Sequence, residues 1–193
     1  MPGCIAVHLA GGTHHAFSDA GQGFCVFNDV AVAAKVLLAE GLARQVLVID
    51  CDVHQGNGTA SIFAGDNTVF TFSIHGDRNF PFRKCQGDLD IALSDGTDDP
   101  VYLDVLQRAL NEQLPLAQAD CVFYLAGADP FAGDRLGRLS LTKAGLSARD
   151  ELVLGACRAL DKPVTVVMAG GYARNIDDIV DIHARTVRIA ASV

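Results

Sequence analysis

Short apolar runs rich in Val and Ile alternate with segments of helical periodicity along most of this 193-residue chain. Runs of this kind are typical of strands that are buried on both faces. Strands that alternate with helices predict a parallel sheet covered by helices on both sides. We therefore predict the α/β class, with a three-layer αβα arrangement around a central, mainly parallel sheet. The length predicts one domain over residues 1–193, and we find no repeat and no linker.

The bounds of the predicted elements follow from apolar periodicity and from residues that favour helix ends. Glycine follows the first predicted helix, and proline stands in the first turn of the third. Strands are predicted at residues 5–9, 45–49, 68–74, 89–93, 121–126 and 164–168, and helices at 28–40, 58–64, 98–113, 143–160 and 175–191.

Composition argues against several classes of protein. No apolar run reaches the roughly 18 residues of a transmembrane helix, and residues 1–5 lack the basic and apolar regions of a signal peptide. The formal charge of −8 argues against nucleic acid as a ligand and is mildly compatible with a cationic substrate. The six cysteines include no Cys-x-x-Cys pair, which favours free thiols in a reducing cytoplasm. No membrane or nucleic-acid partner is expected.

Asp50, Asp52 and His54 stand at alternate positions where the apolar run 46–49 ends. In an extended strand, a spacing of two places side chains on the same side. Adjacent carboxylates that are buried lose hydration and repel each other, and a bound cation relieves both costs. Asp and neutral His are also common zinc ligands. The pattern indicates a metal site, and the alternative is a cluster that caps the helix after Gly58.

Chemically similar residues follow three other predicted strands. His14 and His15 follow the first strand, Asp129 follows the fifth, and Tyr172 follows the sixth after two glycines. Because the carboxyl ends of parallel strands form the ligand crevice of such sheets, we expect all of these residues at one site. Taken singly, each has a simpler interpretation: a chance histidine pair, an aspartate in a turn and a packed tyrosine.

Six groups of motif residues follow one another along the chain. They are Gly-Gly-Thr-His-His-Ala-Phe (11–17), Gly-Phe-Cys-Val-Phe-Asn-Asp (23–29), Asp-Cys-Asp-Val-His-Gln-Gly-Asn-Gly (50–58), Ser-Ile-His (73–75), Gly-Ala-Asp-Pro (127–130) with Gly-Asp (133–134), and Gly-Gly-Tyr (170–172). These motifs, in this order, resemble the zinc-dependent histone deacetylase family. The resemblance covers nearly the whole chain and implies the arginase/deacetylase fold. Gln55, Asn57 and the loop 79–84 are most similar to bacterial class IV-like members, and acetylpolyamine amidohydrolases are close relatives of this family.

The resemblance implies two ion sites. Asp52, His54 and Asp129 match the family's three ligands of the catalytic metal, which is Zn²⁺, with Fe²⁺ as the alternative. Asp50 and Ser73, together with nearby carbonyl groups, match a structural site for a monovalent cation, K⁺.

The resemblance also implies the catalytic roles. His15 matches the general base and acid, and His14 matches its electrostatic partner, which Asp50 orients. Asn57 matches the position that hydrogen-bonds the second histidine, and Tyr172 matches the tyrosine that polarises the substrate carbonyl. The residues expected to line the substrate tunnel are Gly23, Phe24, Phe80 (or Phe82) and Gly171.

The implied activity is metal-dependent removal of an acyl group, such as acetyl, from an amide. The substrate is an acyl-lysine peptide or protein, or an acetylpolyamine. Since family domains have a substantial portion before the His-His loop, we expect an N-terminally shortened domain, about the C-terminal two-thirds, whose exposed apolar surface favours association or oligomers. One alternative is a catalytically silent domain that binds acyl-lysine or polyamine. Another is an arginase-like ureohydrolase, which needs a richer carboxylate set for two metals.

Overall fold

The computed structural model describes residues 3–193. The prediction about a signal peptide concerned residues 1–5, of which Met1 and Pro2 lie outside the described residues. All six strands run parallel in one sheet. The strands are β1 (Ile5–His8), β2 (Val46–Asp50), β3 (Val69–Gly76), β4 (Leu89–Leu93), β5 (Cys121–Leu125) and β6 (Val164–Val167). Their order across the sheet is β1-β6-β5-β2-β3-β4.

Within residues 3–193, four α-helices lie between strands and a fifth follows β6. Four of these five helices begin at a polar capping residue. The side chains of Asn28, Asp98, Thr142 and Asn175 each accept a hydrogen bond from a backbone N–H of the first helical turn. Such bonds satisfy donors that have no partner inside the helix. The helices are α1 (Asp29–Ala39), α2 (Asn57–Ile62), α3 (Asp99–Arg108), α4 (Lys143–Ala159) and α5 (Ile176–Ser192).

Each face of the sheet is covered by a separate hydrophobic core. Val46 and Val48 of β2 pack with apolar residues of α1 and with Phe63, which follows α2. Leu47 and Ile49, the alternate residues of the same strand, pack with residues of α3, α4 and α5. The predicted three-layer architecture is confirmed, and the sheet is parallel throughout the described residues.

The predicted helix 98–113 differs from the structure at its end. Helix α3 stops at Arg108, and the chain continues as a π-helical turn over Ala109–Gln113. Leu114 is extended, with ψ of 135°, because the residue before Pro115 is sterically disfavoured in helical conformation. The proline therefore ends the helix.

Two expectations from composition can be compared with the described residues. All six cysteines are free; Cys25, Cys51 and Cys157 are buried, whereas Cys121 at the start of β5 is only partly buried. Within residues 3–193, no helix has both the length and the apolar character needed to traverse a bilayer.

Candidate active site

Four neighbouring strands of the sheet deliver the predicted site residues. His14 and His15 follow β1, Tyr172 follows β6, Asp129 follows β5, and His54 follows β2. In the order β1-β6-β5-β2 these strands are adjacent and parallel, so the loops at their carboxyl ends meet at one edge. The structure brings these residues together at the carboxyl ends of the strands.

Asp52, His54 and Asp129 form a buried group that can hold a metal ion. One ligand atom from each lies within 4.8 Å of the others. Nδ1 of His54 lies 3.0 Å from Oδ1 of Asp52 and 3.1 Å from Oδ2 of Asp129. A single imidazole nitrogen donates only one proton, whereas a cation among the three atoms satisfies all of them. Two carboxylates and one imidazole are therefore a donor set that fits a divalent metal such as zinc.

The loop after β2 positions its two metal-binding candidates through backbone hydrogen bonds. Strand β2 ends at Asp50, so the pleat of the strand does not extend to Asp52 and His54 as the alternate spacing predicted. Instead, Oδ1 of Asp50 accepts from the N–H of Asp52 at 3.1 Å, and Oδ1 of Asp52 accepts from the N–H of His54 at 2.9 Å. The capping alternative is wrong, because helix α2 begins after Gly56 with no side-chain cap.

The two carboxylates have opposite pKa shifts. Burial and the adjacent Asp52 raise the pKa of Asp129 to about 7. Burial acts in the same direction on Asp52, but His14 and hydrogen bonds from His54 overcome it and hold the pKa of Asp52 below its usual range. The backbone N–H of Gly170 also donates to Oδ2 of Asp52 at 2.7 Å. A Cβ at Gly170 would overlap Oδ2 of Asp129, so the chain approaches this closely only as glycine.

The histidine pair is divided into one charged and one neutral imidazole. Nδ1 of His14 lies 2.6 Å from Oδ2 of Asp50, and Nδ1 of His15 lies 2.7 Å from Oδ1 of Asn57. Burial alone would lower the pKa of His14, but the charges of Asp50 and Asp52 raise it to about 9. Burial and the neighbouring His14 lower the pKa of His15 to about 3. His15 is therefore neutral at pH 7 and keeps an unprotonated ring nitrogen beside a cationic partner.

Tyr172 lies next to the candidate metal ligands and stays protonated. Its ring centroid is 6.3 Å from that of His54, in an edge-on arrangement. Burial and the carboxylates of Asp52 and Asp129 raise the pKa of Tyr172 to about 12. The N–H of Tyr172 donates to Oδ2 of Asp134 at 2.6 Å, which fixes the backbone of the tyrosine loop. The phenol is therefore a hydrogen-bond donor at neutral pH.

A cavity of about 620 Å³ opens onto this group and is lined by several of the predicted tunnel residues. Phe80 packs edge-on against His15, with ring centroids 4.9 Å apart. Phe24 and Phe82 lie farther out and are 88% and 90% exposed. Gly23 lies against His15 so closely that a Cβ there would overlap the imidazole ring. The cavity joins an aromatic outer part to a polar inner end.

Gly171 differs from the other predicted tunnel residues. It does not line the 620 Å³ cavity. A Cβ added at this position would contact Ile179 and Ala128 instead. Gly171 therefore lies on the side of its loop that packs towards α5, and its small size serves that packing.

Three residues that support the site were not predicted. Oε1 of Gln22 accepts from the amide of Asn57, and the carboxylate of Asp29 accepts from the N–H of Gly12 at 2.9 Å. Arg149, fully buried, donates to the carbonyl of Gly127 at 2.6 Å. Asp29 stands inside a motif that carried the resemblance, which could have marked it. Gln22 and Arg149 have no comparable signal.

The two residues predicted to bind a monovalent cation lie close together in the structure. Asp50 and Ser73 are register partners on β2 and β3 and line a small cavity of about 10 Å³, together with Asp90.

Asp90 and Asp88 form a second Asp-x-Asp pattern, but Asp88 accepts from Thr71 and Asp90 accepts from a glutamine side chain. In the described part of the chain, the group after β2 and β5 is the one cluster of three or more such ligands. A two-metal centre of the ureohydrolase kind is therefore not observed there.

Comparison with known proteins gives consistent similarities. A sequence profile of the histone deacetylase domain matches residues 3–187. An uncharacterised protein of Picosynechococcus is 49% identical over 189 residues, which cover 98% of this chain and 63% of that protein. A histone deacetylase homologue from Aquifex aeolicus has a TM-score of 0.82 at 25% identity, covering 96% of this chain and 52% of that one. Acetylpolyamine aminohydrolase from Burkholderia pseudomallei has a TM-score of 0.80 at 27% identity, covering 96% and 56%.

The profile match extends over nearly all described residues, and the chain spans about half to two-thirds of the length of these similar proteins. The parallel sheet with helices on both faces is the arginase/deacetylase-like architecture that the motifs predicted. Sequence motifs, fold and profile agree, and the chain belongs to the histone deacetylase family.

Proposed function

We propose that this protein is a metal-dependent deacylase that hydrolyses the amide of an acylated amine, such as acetyl-lysine. The observation that carries the proposal is the convergence of a buried three-ligand group, a neutral histidine and a protonated tyrosine at the inner end of one cavity. Similar chains named histone deacetylase homologue and acetylpolyamine aminohydrolase support this class of reaction. The six free thiols also support a cytoplasmic location.

Asp52, His54 and Asp129 would hold the catalytic metal, with Zn²⁺ as the first choice and Fe²⁺ as the alternative. When bound, the metal supplies a Lewis acid that polarises the substrate carbonyl and increases the acidity of water. Asp50 and Ser73 would hold a structural K⁺. An ion bound there would stabilise the pairing of β2 with β3, next to the site.

His15 is the proposed general base and acid. Its Nδ1–H donates to Asn57, which leaves Nε2 unprotonated. In the proposed reaction Nε2 takes a proton from the attacking water and later delivers it to the leaving amine. The cationic His14, held by Asp50, lowers the proton affinity of His15 and compensates negative charge that develops on the substrate.

Tyr172 is proposed to stabilise the substrate oxygen as it gains negative charge. Its phenol donates a hydrogen bond in a partly buried site, where such a bond is stronger than in water. The loop of Asp134 fixes the tyrosine backbone, so the donor is positioned before the reaction begins.

Replacing Tyr172 by Phe should lower kcat by roughly a hundredfold or more, by analogy with removal of one oxyanion-hole donor. Zinc content should stay at the wild-type level, because the phenol is not among the proposed ligands. Steady-state kinetics and metal analysis of the same preparations measure both quantities. A kcat within about threefold of wild type would contradict the role of the tyrosine.

The proposed function is tested with a panel of acetyl-lysine, longer acyl-lysine and acetylpolyamine substrates. Wild-type protein should release a free amine from at least one of them, and His15→Ala should lose this activity. His8→Ala is a matched control, since His8 is an exposed histidine at the end of β1 and does not line the cavity. Equal rates for wild type and His15→Ala would remove the deacylase proposal. Binding without turnover by either protein would instead favour the silent binding domain.

A further inference from the structure

The mouth of the 620 Å³ cavity is basic, although the protein as a whole is acidic. Arg78, Arg135 and Arg138 line it, and no aspartate or glutamate among residues 3–193 does so. The chain contains 23 acidic and 15 basic residues. Side chains of Arg78 and Arg138 are 73% and 54% exposed, which places them at the outer end of the cavity. The formal charge of −8 therefore does not describe the surface that a substrate meets first.

Two of the three arginines share one carboxylate partner. The guanidinium groups of Arg78 and Arg138 lie 3.6 and 3.1 Å from the same oxygen of Asp95. In the part of the chain that the structure describes, no carboxylate lies within 4.0 Å of Arg135, whose Nε donates to the carbonyl of Tyr172 at 2.9 Å. Asp134, in the same loop as Arg135 and Arg138, is a second nearby carboxylate and accepts from the backbone N–H groups of Leu136, Gly137 and Tyr172. Three guanidinium groups against these two carboxylates leave the mouth with excess positive charge.

Hydrogen bonds between two loops fix the position of this charge. The buried Asn79 donates to the carbonyl of Leu136 at 2.8 Å and accepts from the N–H of Arg138 at 3.2 Å. These bonds join the loop after β3 to the loop after β5. Arg135 is joined in turn to the tyrosine loop. The loops that carry the arginines are therefore joined to one another, and the guanidinium groups line the entrance of the cavity.

On the basis of the function proposed above, we propose that this arginine-lined mouth selects acyl-lysine side chains carried by acidic peptide sequences and disfavours polycationic acetylpolyamines. The uncharged aromatic stretch formed by Phe24 and Phe80 suits the aliphatic stem of an acyl-lysine. Acidic residues on either side of that lysine would lie beside the guanidinium groups, which bind carboxylates well. A polyamine would place further ammonium groups beside these guanidinium groups, which carry charge of the same sign.

The first test compares peptides that differ only in the charge of the residues flanking one acetyl-lysine. At low salt we expect kcat/KM to be about tenfold higher with Asp or Glu flanks than with Lys or Arg flanks, and the ratio to shrink as salt rises. A third peptide has uncharged residues on both sides of the acetyl-lysine, and N-acetylspermidine should be a poorer substrate than this neutral peptide. The Kd for binding to His15→Ala should be lowest for the acidic peptide and highest for the basic one. The preference is therefore measured even without turnover. Equal Kd values across the three peptides, or acetylspermidine as the preferred substrate, would overturn the inference.

Variants of the mouth separate this inference from the proposed function. Arg78→Gln/Arg138→Gln should reduce the ratio of kcat/KM between acidic and basic peptides to near one, and Arg135→Gln should reduce it partly. Arg44→Gln, an exposed arginine just before β2 at the opposite edge of the sheet, should leave the ratio unchanged. A uniform loss of rate does not alter a ratio, so structural damage is distinguished from loss of selection. Turnover of the neutral peptide with an unchanged ratio in the double variant would refute the inference and leave the deacylase proposal intact.

Discussion

Zinc binding by Asp129→Asn is expected to be more than about a hundredfold weaker than wild type, with deacylation falling below detection. Removing partners of metal ligands already costs 10- to 100-fold in affinity as a rule, so roughly a hundredfold is a lower bound for a ligand itself. The amide keeps the volume of the carboxylate and can still accept the hydrogen bond from Val53. The variant therefore removes charge with little change in packing. Competition against a chromophoric chelator gives the affinity.

Asp120→Asn is the matched control for this experiment. Its carboxylate accepts from the backbone N–H groups of Arg44 and Gln45 at the opposite edge of the sheet. Zinc affinity should be the same as in the wild type. If Asp129→Asn also bound zinc with unchanged affinity, the proposed ligand set would be wrong.

Asp129→Asn lowers zinc affinity, but in the metal-free protein it is expected to raise thermal stability at pH 8. Burial and Asp52 raise the pKa of Asp129 to about 7, against an ordinary value of 3.8. The folded state thus holds this proton longer than the unfolded chain, and the stability of the metal-free protein falls as pH rises between these two values. An amide does not ionise, so the variant should have a higher Tm than wild type at pH 8 with a chelator present. A lower Tm under those conditions would contradict the assigned repulsion.

Arg149→Met should lower the free energy of unfolding by about 3–5 kcal/mol, the usual cost of removing one partner of a buried ion pair. The guanidinium is fully buried and pairs with Asp150. It also bonds to the carbonyl of Gly127 at 2.6 Å and contacts that of Cys51 at 3.4 Å, so it ties together the loops after β5 and β2. Methionine leaves the carboxylate of Asp150 buried without its cation and both carbonyls without this donor. Urea unfolding of the metal-free protein measures the difference.

A second arginine on the same helix gives the control. Arg158 is exposed on α4, where it donates to the carbonyl of Gly3 at 3.1 Å, and Arg158→Met should change stability by less than about 0.5 kcal/mol. The double variant Arg149→Met/Asp150→Asn should be more stable than the single Arg149→Met, because it removes the unpaired charge. A loss below about 1 kcal/mol for Arg149→Met would show that the buried pair is not important for the fold.

The fold could be predicted largely from local patterns in the sequence. The Val- and Ile-rich runs located the strands, and the capping residues located four helix starts within a residue or two. The convergence of residues at one edge followed from the rule that parallel strands expose their carboxyl ends together. Even there, the pleat did not extend beyond Asp50, and the positions of Asp52 and His54 depend on backbone bonds that no spacing reveals.

Residues whose roles depend on distant contacts could not be predicted. Arg149 lies in a helix with other charged residues, and its burial results from packing against loops far away in sequence. The basic mouth combines Arg78 with Arg135 and Arg138, which come from two loops after different strands. The net charge indicated a cationic substrate weakly, whereas the local distribution of charge favours an acidic one. A sum over the chain carries no information about where the charges lie.

The pairing of β1 with β6 has a consequence for biosynthesis. Ile5 lies beside Val164 in the sheet, so strands from opposite ends of the sequence are neighbours. A nascent chain on the ribosome presents His14 and His15 long before Gly170 and Tyr172 have been translated. Contacts that close so large a loop form late in folding. The candidate metal ligands Asp52, His54 and Asp129 all precede β6, whereas Gly170, which donates to Asp52, and Tyr172 follow it. The hydrogen-bonded site in its final form therefore requires that β6 has joined the sheet.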